Sequence, residues 1–372
     1  MSDAAPQANV VSGREQRVLE IIETARSKKA RFRDKQVTLA HGAGGKATQT
    51  LIEGLLVPAF TGGDPERPLA ALADAGVTTV NGTRMAMTSD SFVVKPLRFP
   101  GGSIGELAVN GTVNDLAMAG ARPLAMTVSM ILEEGLDAEV LKAEIAAIAD
   151  AAAAAGIEIV GGDTKVVERG AADGMYLCTT GMGAVDPRAS LSTRDIAPGD
   201  QIIVSGPIGE HGTAIMLARD QFDLDAEIDS DTCSLWPAAD ALLEAVGPQL
   251  HCMRDATRGG VASVLNELAR ASQIAVTVRE ADVPVSPIVA AAAELLGIDP
   301  MYVANEGRLV AFVAPEGADA ALQALRGVDG CERAAAIGEV RSEPPGMVLV
   351  QTAFGGRRVM DQLVGDPLPR IC

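Results

Sequence analysis

The last residue of this chain has the longest chemical reach. Cys372 closes the run Pro369-Arg370-Ile371-Cys372, and a thiol at the end of a tail is a nucleophile on a tether, able to enter its own active site or a partner's. Pro367 and Pro369 hold these residues out of helix and sheet and favour an extended, solvated backbone. From Gly365 onward the tail reaches roughly 20 Å, at about 3.3 Å per residue. A frayed terminus has the same appearance, so the rest of the chain must decide between the two.

Four acidic positions interrupt apolar runs. Asp90 sits in TSDSFVV, Asp115 follows Asn114 inside AVNGTVNDLAMAGA, Asp163 lies in the turn of VGGDTKVV, and Asp255 opens RDATRGG before a helix. Carboxylates converging from separate loops without His or Cys suit a hard, oxygen-seeking cation such as Mg²⁺. Taken one at a time, Asp90, Asp163 and Asp255 fit caps and turns better. Asn114-Asp115 is harder to dismiss, because a polar pair among small apolar residues is costly if buried without partners. His41-Gly-Ala-Gly-Gly-Lys46 leads into a helix and exposes N–H groups suited to an anion, as does Thr257-Arg-Gly-Gly260, with Arg258 as a fork donor. Neither matches a Walker or Rossmann pattern, and a flexible turn explains the first equally well. Lys165 beside Asp163, and Glu306 before RLVAFVA, are charges at strand ends, suited to phosphate or proton transfer or simply to solvation.

These residues need elements to hold them. Strands are expected over Met85–Thr88, Ala125–Leu132, Ile157–Val160, Tyr176–Val185, Gln201–Ser205, Ile274–Val278 and Leu309–Ala314. Helices are expected over Thr48–Leu56, Gly105–Met118, Ala138–Ala155, Gly209–Ala218, Gly259–Ala271, Ser286–Leu296 and Ala318–Leu325, with a further amphipathic one over Glu15–Lys29. Gly156 is a good helix stop, and Ala197-Pro-Gly-Asp200 is the best boundary signal. With 372 residues, two domains are favoured over one. The division is an N-terminal extension at 1–36, domains at 37–197 and 198–350, and a C-terminal region at 351–372. The class is α+β with α/β-like layers.

Hydrophobic content of 48% with only 3% aromatics means cores of Ala, Val, Leu, Ile and Met. A net charge of −18 argues against nucleic acid and anionic membranes as partners. Five cysteines without a CxxC point to a reducing cytoplasm, no apolar run is long enough for a membrane span, and no signal-peptide core is present.

Together HGAGGK, TSDSFVV, VNDLAMAGA, GGDTKVV, MRDATRGG, NEGRLV and the terminal PRIC resemble the HypE family of hydrogenase maturation proteins, in order from about Val37 to Cys372. The earlier motifs are shared with the wider aminoimidazole ribonucleotide synthetase (PurM-like) superfamily, which includes selenophosphate synthetase and thiamine-monophosphate kinase. Within it the terminal PRIC is specific to HypE. The resemblance implies a two-domain PurM-like fold and a homodimer, with ATP between the domains and near the dimer interface. It implies that the carbamoyltransferase HypF loads a carbamoyl group onto Cys372, that ATP drives its dehydration to a thiocyanate, and that the cyanide passes to iron on HypC–HypD. It places Asp90, Asp115, Asp163 and Asp255 on Mg²⁺. The nucleotide falls to Gly42, Gly44, Gly45, Lys46, Asn114, Thr164, Thr257 and Arg258. Cys372, Lys165 and Glu306 are left for catalysis, with the base undecided between the last two.

Two other readings keep parts of this picture. A small-molecule kinase or amidine-forming ligase would use the same ATP site and leave the tail idle. A non-catalytic carrier would use Cys372 and leave ATP as a regulator.

Overall fold

The structure, a computed structural model, describes residues 31–64, 67, 69, 72–219, 227–363, 365 and 370–372. The expected helix over Glu15–Lys29 and the tail prolines Pro367 and Pro369 lie outside the described residues.

A 3-10 turn at Leu39–Gly42 precedes α1 (Lys46–Leu51), which continues through a π turn, Ile52–Leu56, into α2 (Val57–Thr61). Next come β1 (Gly76–Val80), β2 (Thr83–Phe92), and a short hairpin of β3 (Arg98–Phe99) and β4 (Gly102–Ser103). The hairpin feeds α3 (Ile104–Met118), followed by β5 (Ala121–Glu133), α4 (Ala138–Ala155), β6 (Glu158–Val167) and β7 (Met175–Val185). The first sheet has the order β1-β2-β7-β5-β6. β5 and β6 run parallel, joined across α4, and the other pairs are antiparallel.

α4 has the expected bounds. Asp137 accepts a bond from the Glu139 N–H at its start, and Gly156 ends it at φ 66°, a conformation that costs glycine least. α3 is buried almost all round, which explains its small residues: a Cβ at Gly111 would stand 2.8 Å from the Phe92 ring. Leu107, Val109, Val113 and Leu116 are fully buried, each contributing about 1.5–3 kcal/mol over an exposed position.

The second sheet is built from β8 (Gln201–Val204), β9 (Leu250–Asp255), β10 (Ala275–Arg279), β11 (Leu309–Val313), β12 (Ala335–Arg341), β13 (Met347–Gln351) and β14 (Arg357–Met360), in the order β14-β13-β10-β12-β8-β11-β9. Its helices are α5 (Glu210–Leu217), α6 (Trp236–Val246), α7 (Gly260–Ser272), α8 (Pro287–Leu296) and α9 (Ala318–Arg326). β8 and β11 are buried on both faces. Ile203, Leu309 and Ala311 point into a core shared with α3 and α6, while Ile202, Val310 and Phe312 point into a second core under α7. The shared core welds the two sheets together, so α3 forms a wall common to both. The structure therefore has the two-domain α+β architecture read from the sequence.

Two local expectations change. Asp163 is not in a turn: Gly161, Gly162 and Asp163 continue β6, whose pairing with β5 shifts register at Met126/Thr127. The last residues of the tail are not solvated: Ile371 and Cys372 are buried.

Candidate active site

Asp90 near the end of β2, Asp115 in the last turns of α3, and Asp255 at the end of β9 meet where the two sheets abut. Asp74, just before β1, joins them. Asp115 accepts a short bond from the Thr88 hydroxyl. Burial raises its pKa well above the usual carboxylate range, and the charges of Asp255, Asp74 and Asp90 raise it further. Asp255 is raised well above that range by burial and then by Asp74 and Asp90, against Arg254. Asp74 is bonded by the Arg254 guanidinium, yet burial still raises its pKa, and its second oxygen has no hydrogen-bond partner. Such a set of carboxylates is unfavourable until a cation joins it.

Glu306 stands beside this cluster. Its pKa is raised well above normal by burial first, then by Asp255, Asp231 and Asp90, and one carboxylate oxygen lacks a hydrogen-bond partner. Its main chain is fixed from two sides: its N–H donates to Asp231 at 2.9 Å, and its carbonyl accepts from Asn114 at 3.1 Å. Asn114 also donates to the Cys233 carbonyl at 3.0 Å and accepts from the Leu235 N–H at 2.7 Å. The cost expected of a buried Asn114 is thus met by three main-chain groups, and the side chain brackets the two domains instead of facing an open cleft.

The two glycine-rich loops pack against each other. Gly44 has φ 75°, and a Cβ there would lie 2.8 Å from the Arg258 carbonyl. Arg258 donates to the Gly42 carbonyl at 3.0 Å and stands 3.9 Å from Asp90. Thr257 and Gly260 close the turn that starts α7. Gly45 is the N-cap of α1. Lys46 is spent on the C-terminal segment, where its ammonium pairs with Asp361 at 2.7 Å and its N–H donates to the Leu363 carbonyl at 2.8 Å.

Asp163, Thr164 and Lys165 are elsewhere in this chain. They lie on β6, the exposed edge of the first sheet, with Asp163 and Lys165 bonded to each other. The register Asp90↔Thr179, Thr179↔Val128, Val128↔Gly162 puts β6 three strands from Asp90, on the order of 14 Å at the usual strand spacing. Among the described residues, no three acidic or sulfur and imidazole groups already enclose a metal position.

The tail ends next to this site. The Val93 N–H, just beyond β2, donates to the Cys372 carbonyl oxygen at 3.0 Å, and His211 bonds the Ile371 carbonyl at 2.7 Å. His211 also bonds Ser230, whose neighbour Asp231 holds Glu306. Burial pushes the His211 pKa down to about 4, so the ring is neutral near pH 7. Burial pushes the Cys252 thiol up to about 12 and raises Cys331 as well, which leaves both unreactive.

Sequence reasoning missed Asp74, Asp231 and His211. Asp74 carried a signal, an acidic residue ahead of an apolar strand, whereas Asp231 and His211 act only through contacts distant in sequence.

The AIR synthase related protein N-terminal domain matches residues 72–185, and the corresponding C-terminal domain matches 197–350. The chain therefore belongs to the AIR synthase-related superfamily, a class defined by this pair of domains. Within it, the chain belongs to the HypE family. It is 46% identical over 346 residues to the carbamoyl dehydratase HypE of Rhodobacter capsulatus, covering 92% of this chain and 99% of the relative. A crystal structure of HypE in complex with ATP superposes with a TM-score of 0.75 at 43% identity, covering 91% of this chain and all of the other. A HypE–HypF complex superposes at 0.78 with 39% identity, covering 83% and 99%.

Proposed function

We propose that this chain is a carbamoyl dehydratase that converts an S-carbamoyl group on its own Cys372 into S-cyanocysteine at the expense of ATP, providing the cyanide ligand of a [NiFe] hydrogenase. The observation that carries the reading is the burial of Cys372, whose carbonyl is bonded by Val93, three residues beyond Asp90, and whose neighbour Ile371 is tied through His211 and Ser230 to the segment whose Asp231 holds Glu306. A carbamoyl oxygen is a weak nucleophile. Holding it against the γ-phosphate of ATP makes the encounter intramolecular and shuts out competing water. The carbamoyl oxygen takes the γ-phosphoryl group and ADP leaves. Loss of phosphate and of the nitrogen protons gives the C≡N bond.

Glu306 is the proton acceptor in this reading, because its raised pKa makes its carboxylate more basic than an exposed one. Gly42, Gly44, Gly45, Thr257 and Arg258 bind the nucleotide. Asp90, Asp115 and Asp255, with Asp74 added, hold Mg²⁺. The unpartnered oxygen of Asp74 and the mutually raised pKa values fit a divalent cation. Bound there, Mg²⁺ neutralises phosphate charge.

Asp163, Thr164 and Lys165 join the site through a homodimer. In support, one face of the first sheet exposes Met87, Met182 and Ile131, an apolar surface that calls for cover. The division into domains at 37–197 and 198–350 is part of the same reading. Partners are a HypF-type carbamoyltransferase and an iron-carrying HypC–HypD pair, in the cytoplasm. Among the described residues no helix is long and apolar enough to cross a membrane.

The test is mass spectrometry of the C-terminal peptide after incubation with carbamoyltransferase, carbamoyl phosphate and ATP. A carbamoyl adduct that ATP converts to a form lighter by one water supports the proposal. An adduct that persists with ATP, or ATP turnover on a free small molecule without the tail, overturns it in favour of a carrier or another ATP-dependent enzyme.

A further inference from the structure

α1, the π turn and α2 make one unbroken helical run from Lys46 to Thr61, about 24 Å long. From Leu51 to Phe60 it reads LIEGLLVPAF, apolar on nearly every side. A helix of that composition is normally enclosed. Here none of the described residues from Lys46 to Phe60 is buried. Leu51, Leu55 and Ala59 stand four apart, as do Ile52, Leu56 and Phe60, so the six line one face. Leu55 is 45% exposed and Phe60 72%, an apolar surface without cover.

The chain comes to this helix from its own N-terminal side. A Cβ at Gly54 would stand 2.7 Å from the Phe32 nitrogen and 3.1 Å from the Arg31 Cα. Glycine therefore lets residues 31 and 32 cross the helix against its backbone. The crossing is pinned beyond the helix, where the Phe32 ring meets the His41 ring edge-on at 5.5 Å and Asp34 pairs with His41 at 3.0 Å. Lys29, two residues before Arg31, is thus within about 7 Å of the crossing. The segment that ends there, Glu15–Lys29, carries Val18, Ile21, Ile22 and Ala25 at helical spacing. As a helix it is about 22 Å long, which matches the open face. Arg26, Lys28, Lys29, Arg31 and Arg33 make its end basic in a chain of net charge −18, and the acidic body attracts it.

We infer that residues 15–29 dock as an amphipathic helix on the apolar face of Leu51–Phe60 in the same chain, with Val18, Ile21, Ile22 and Ala25 turned inward. Attachment at Arg31 makes the docking intramolecular, so a modest apolar contact is enough to hold it. The docked segment covers the helix that follows the glycine-rich loop, and it does not depend on the chemistry at Cys372.

The test places the photoreactive residue p-benzoylphenylalanine at position 60 of the full-length chain. After irradiation, denatured intact chains are weighed and then digested. Chains of monomer mass, with position 60 joined to residues 15–29, are expected to dominate the adducts. Adducts of twice that mass give the face to a second copy and overturn the inference. Absence of any join to residues 15–29 overturns it too, as does a join to an added HypF-type carbamoyltransferase in its place. Hydrogen exchange supplies a second readout. In the full-length variant Val18→Asp/Ile22→Asp, amides over 51–60 should exchange at least about tenfold faster than in wild type, because two covering side chains are lost. Exchange in the buried helix α3 should stay unchanged. Equal exchange over 51–60 in variant and wild type overturns the inference.

Discussion

The aspartate cluster and the tail groove lie side by side and are built on opposite terms. In the cluster, Asp74, Asp115 and Asp255 have raised pKa values because burial and like charge oppose their ionisation. In the groove, the carbonyls of Arg370, Ile371 and Cys372 all accept hydrogen bonds, and His211 is neutral. The cluster is incomplete without added positive charge, whereas the groove is complete with the chain's own residues. Damage to the cluster should therefore relieve the empty protein while crippling nucleotide binding. Damage to the groove or the thiol should spare nucleotide binding and remove the substrate.

The largest effect separates the two regions outright. Cys372→Ala should abolish thiocyanate formation and leave Mg-ATP affinity unchanged by calorimetry, because the thiol carries substrate and holds no nucleotide. A clear loss of ATP affinity would join the regions that the comparison keeps apart. Cys252→Ala should leave tail modification in place, since that thiol is buried and unreactive.

Next come the groups placed in the chemical step. Glu306→Ala and Lys165→Ala should both accept a carbamoyl group, because that transfer belongs to the partner's active site, and then stall. Loss of a group used in the transition state costs on the order of 10²–10⁴ in rate, so the unconverted adduct should dominate the mass spectrum over the time wild type needs. Near wild-type conversion by Lys165→Ala would return that residue to a solvated strand-edge charge, paired with Asp163 as it is here.

Asp115→Asn tests the cluster itself. Removing one repelling carboxylate should raise the Tm of the metal-free protein by roughly 2–4 °C per kcal/mol relieved, while Mg²⁺-dependent ATP affinity falls at least about tenfold. The sign with pH follows. Carboxyls whose folded pKa lies above the unfolded value disfavour folding increasingly as pH rises from about 4. Mg²⁺ must displace their protons, so the stabilisation it gives should grow with pH in wild type and less in Asp115→Asn. A Tm gain from Mg²⁺ that is flat across pH would break the cluster assignment.

The elements that reached the surface of the sequence were those with one clear period. α4 was legible to its ends because alanine-rich spacing runs from Asp137 to Gly156 without interruption, and α3 because small and apolar residues fill every position. β9, LHCMRD, was missed: it is an edge strand with His251 and Arg254 half-buried, so no apolar run marks it. α6 and β12 to β14 were passed over as well, their patterns being set by packing against α9 and the second sheet. Asp163 resembles a turn residue because two glycines precede it, yet those glycines continue a strand just past a register shift at Val160, and a Cβ at Gly162 would collide with the Val128 carbonyl. For the candidate site, motif positions pointed to Asp90, Asp115, Asp255 and Glu306, which the structure brings together. The partnerships of Asn114 and His211 were illegible, because hydrogen bonds to main-chain groups more than a hundred residues away leave no pattern in side-chain order.

The smallest effect distinguishes the two regions by the slope of stability with pH. His211 has its pKa pushed from 6.5 down to about 4 by burial. Between those values the unfolded chain binds a proton that the folded chain refuses, so this residue's contribution to stability rises with pH and is lost as pH falls from 6.5 toward 4. The full loss at the low end is about 3 kcal/mol by linkage. The carboxylate cluster slopes the other way over the same window, its penalty easing as acid neutralises it. His211→Gln keeps a side-chain donor for the Ile371 carbonyl and cannot titrate. Its denaturation midpoint should therefore fall below wild type by a small amount near pH 7.5, and the gap should narrow or reverse by pH 4.5. Urea unfolding at both pH values measures this directly. A constant gap would mean that His211 is not buried as a neutral ring, and that the groove is less complete than its hydrogen bonds imply.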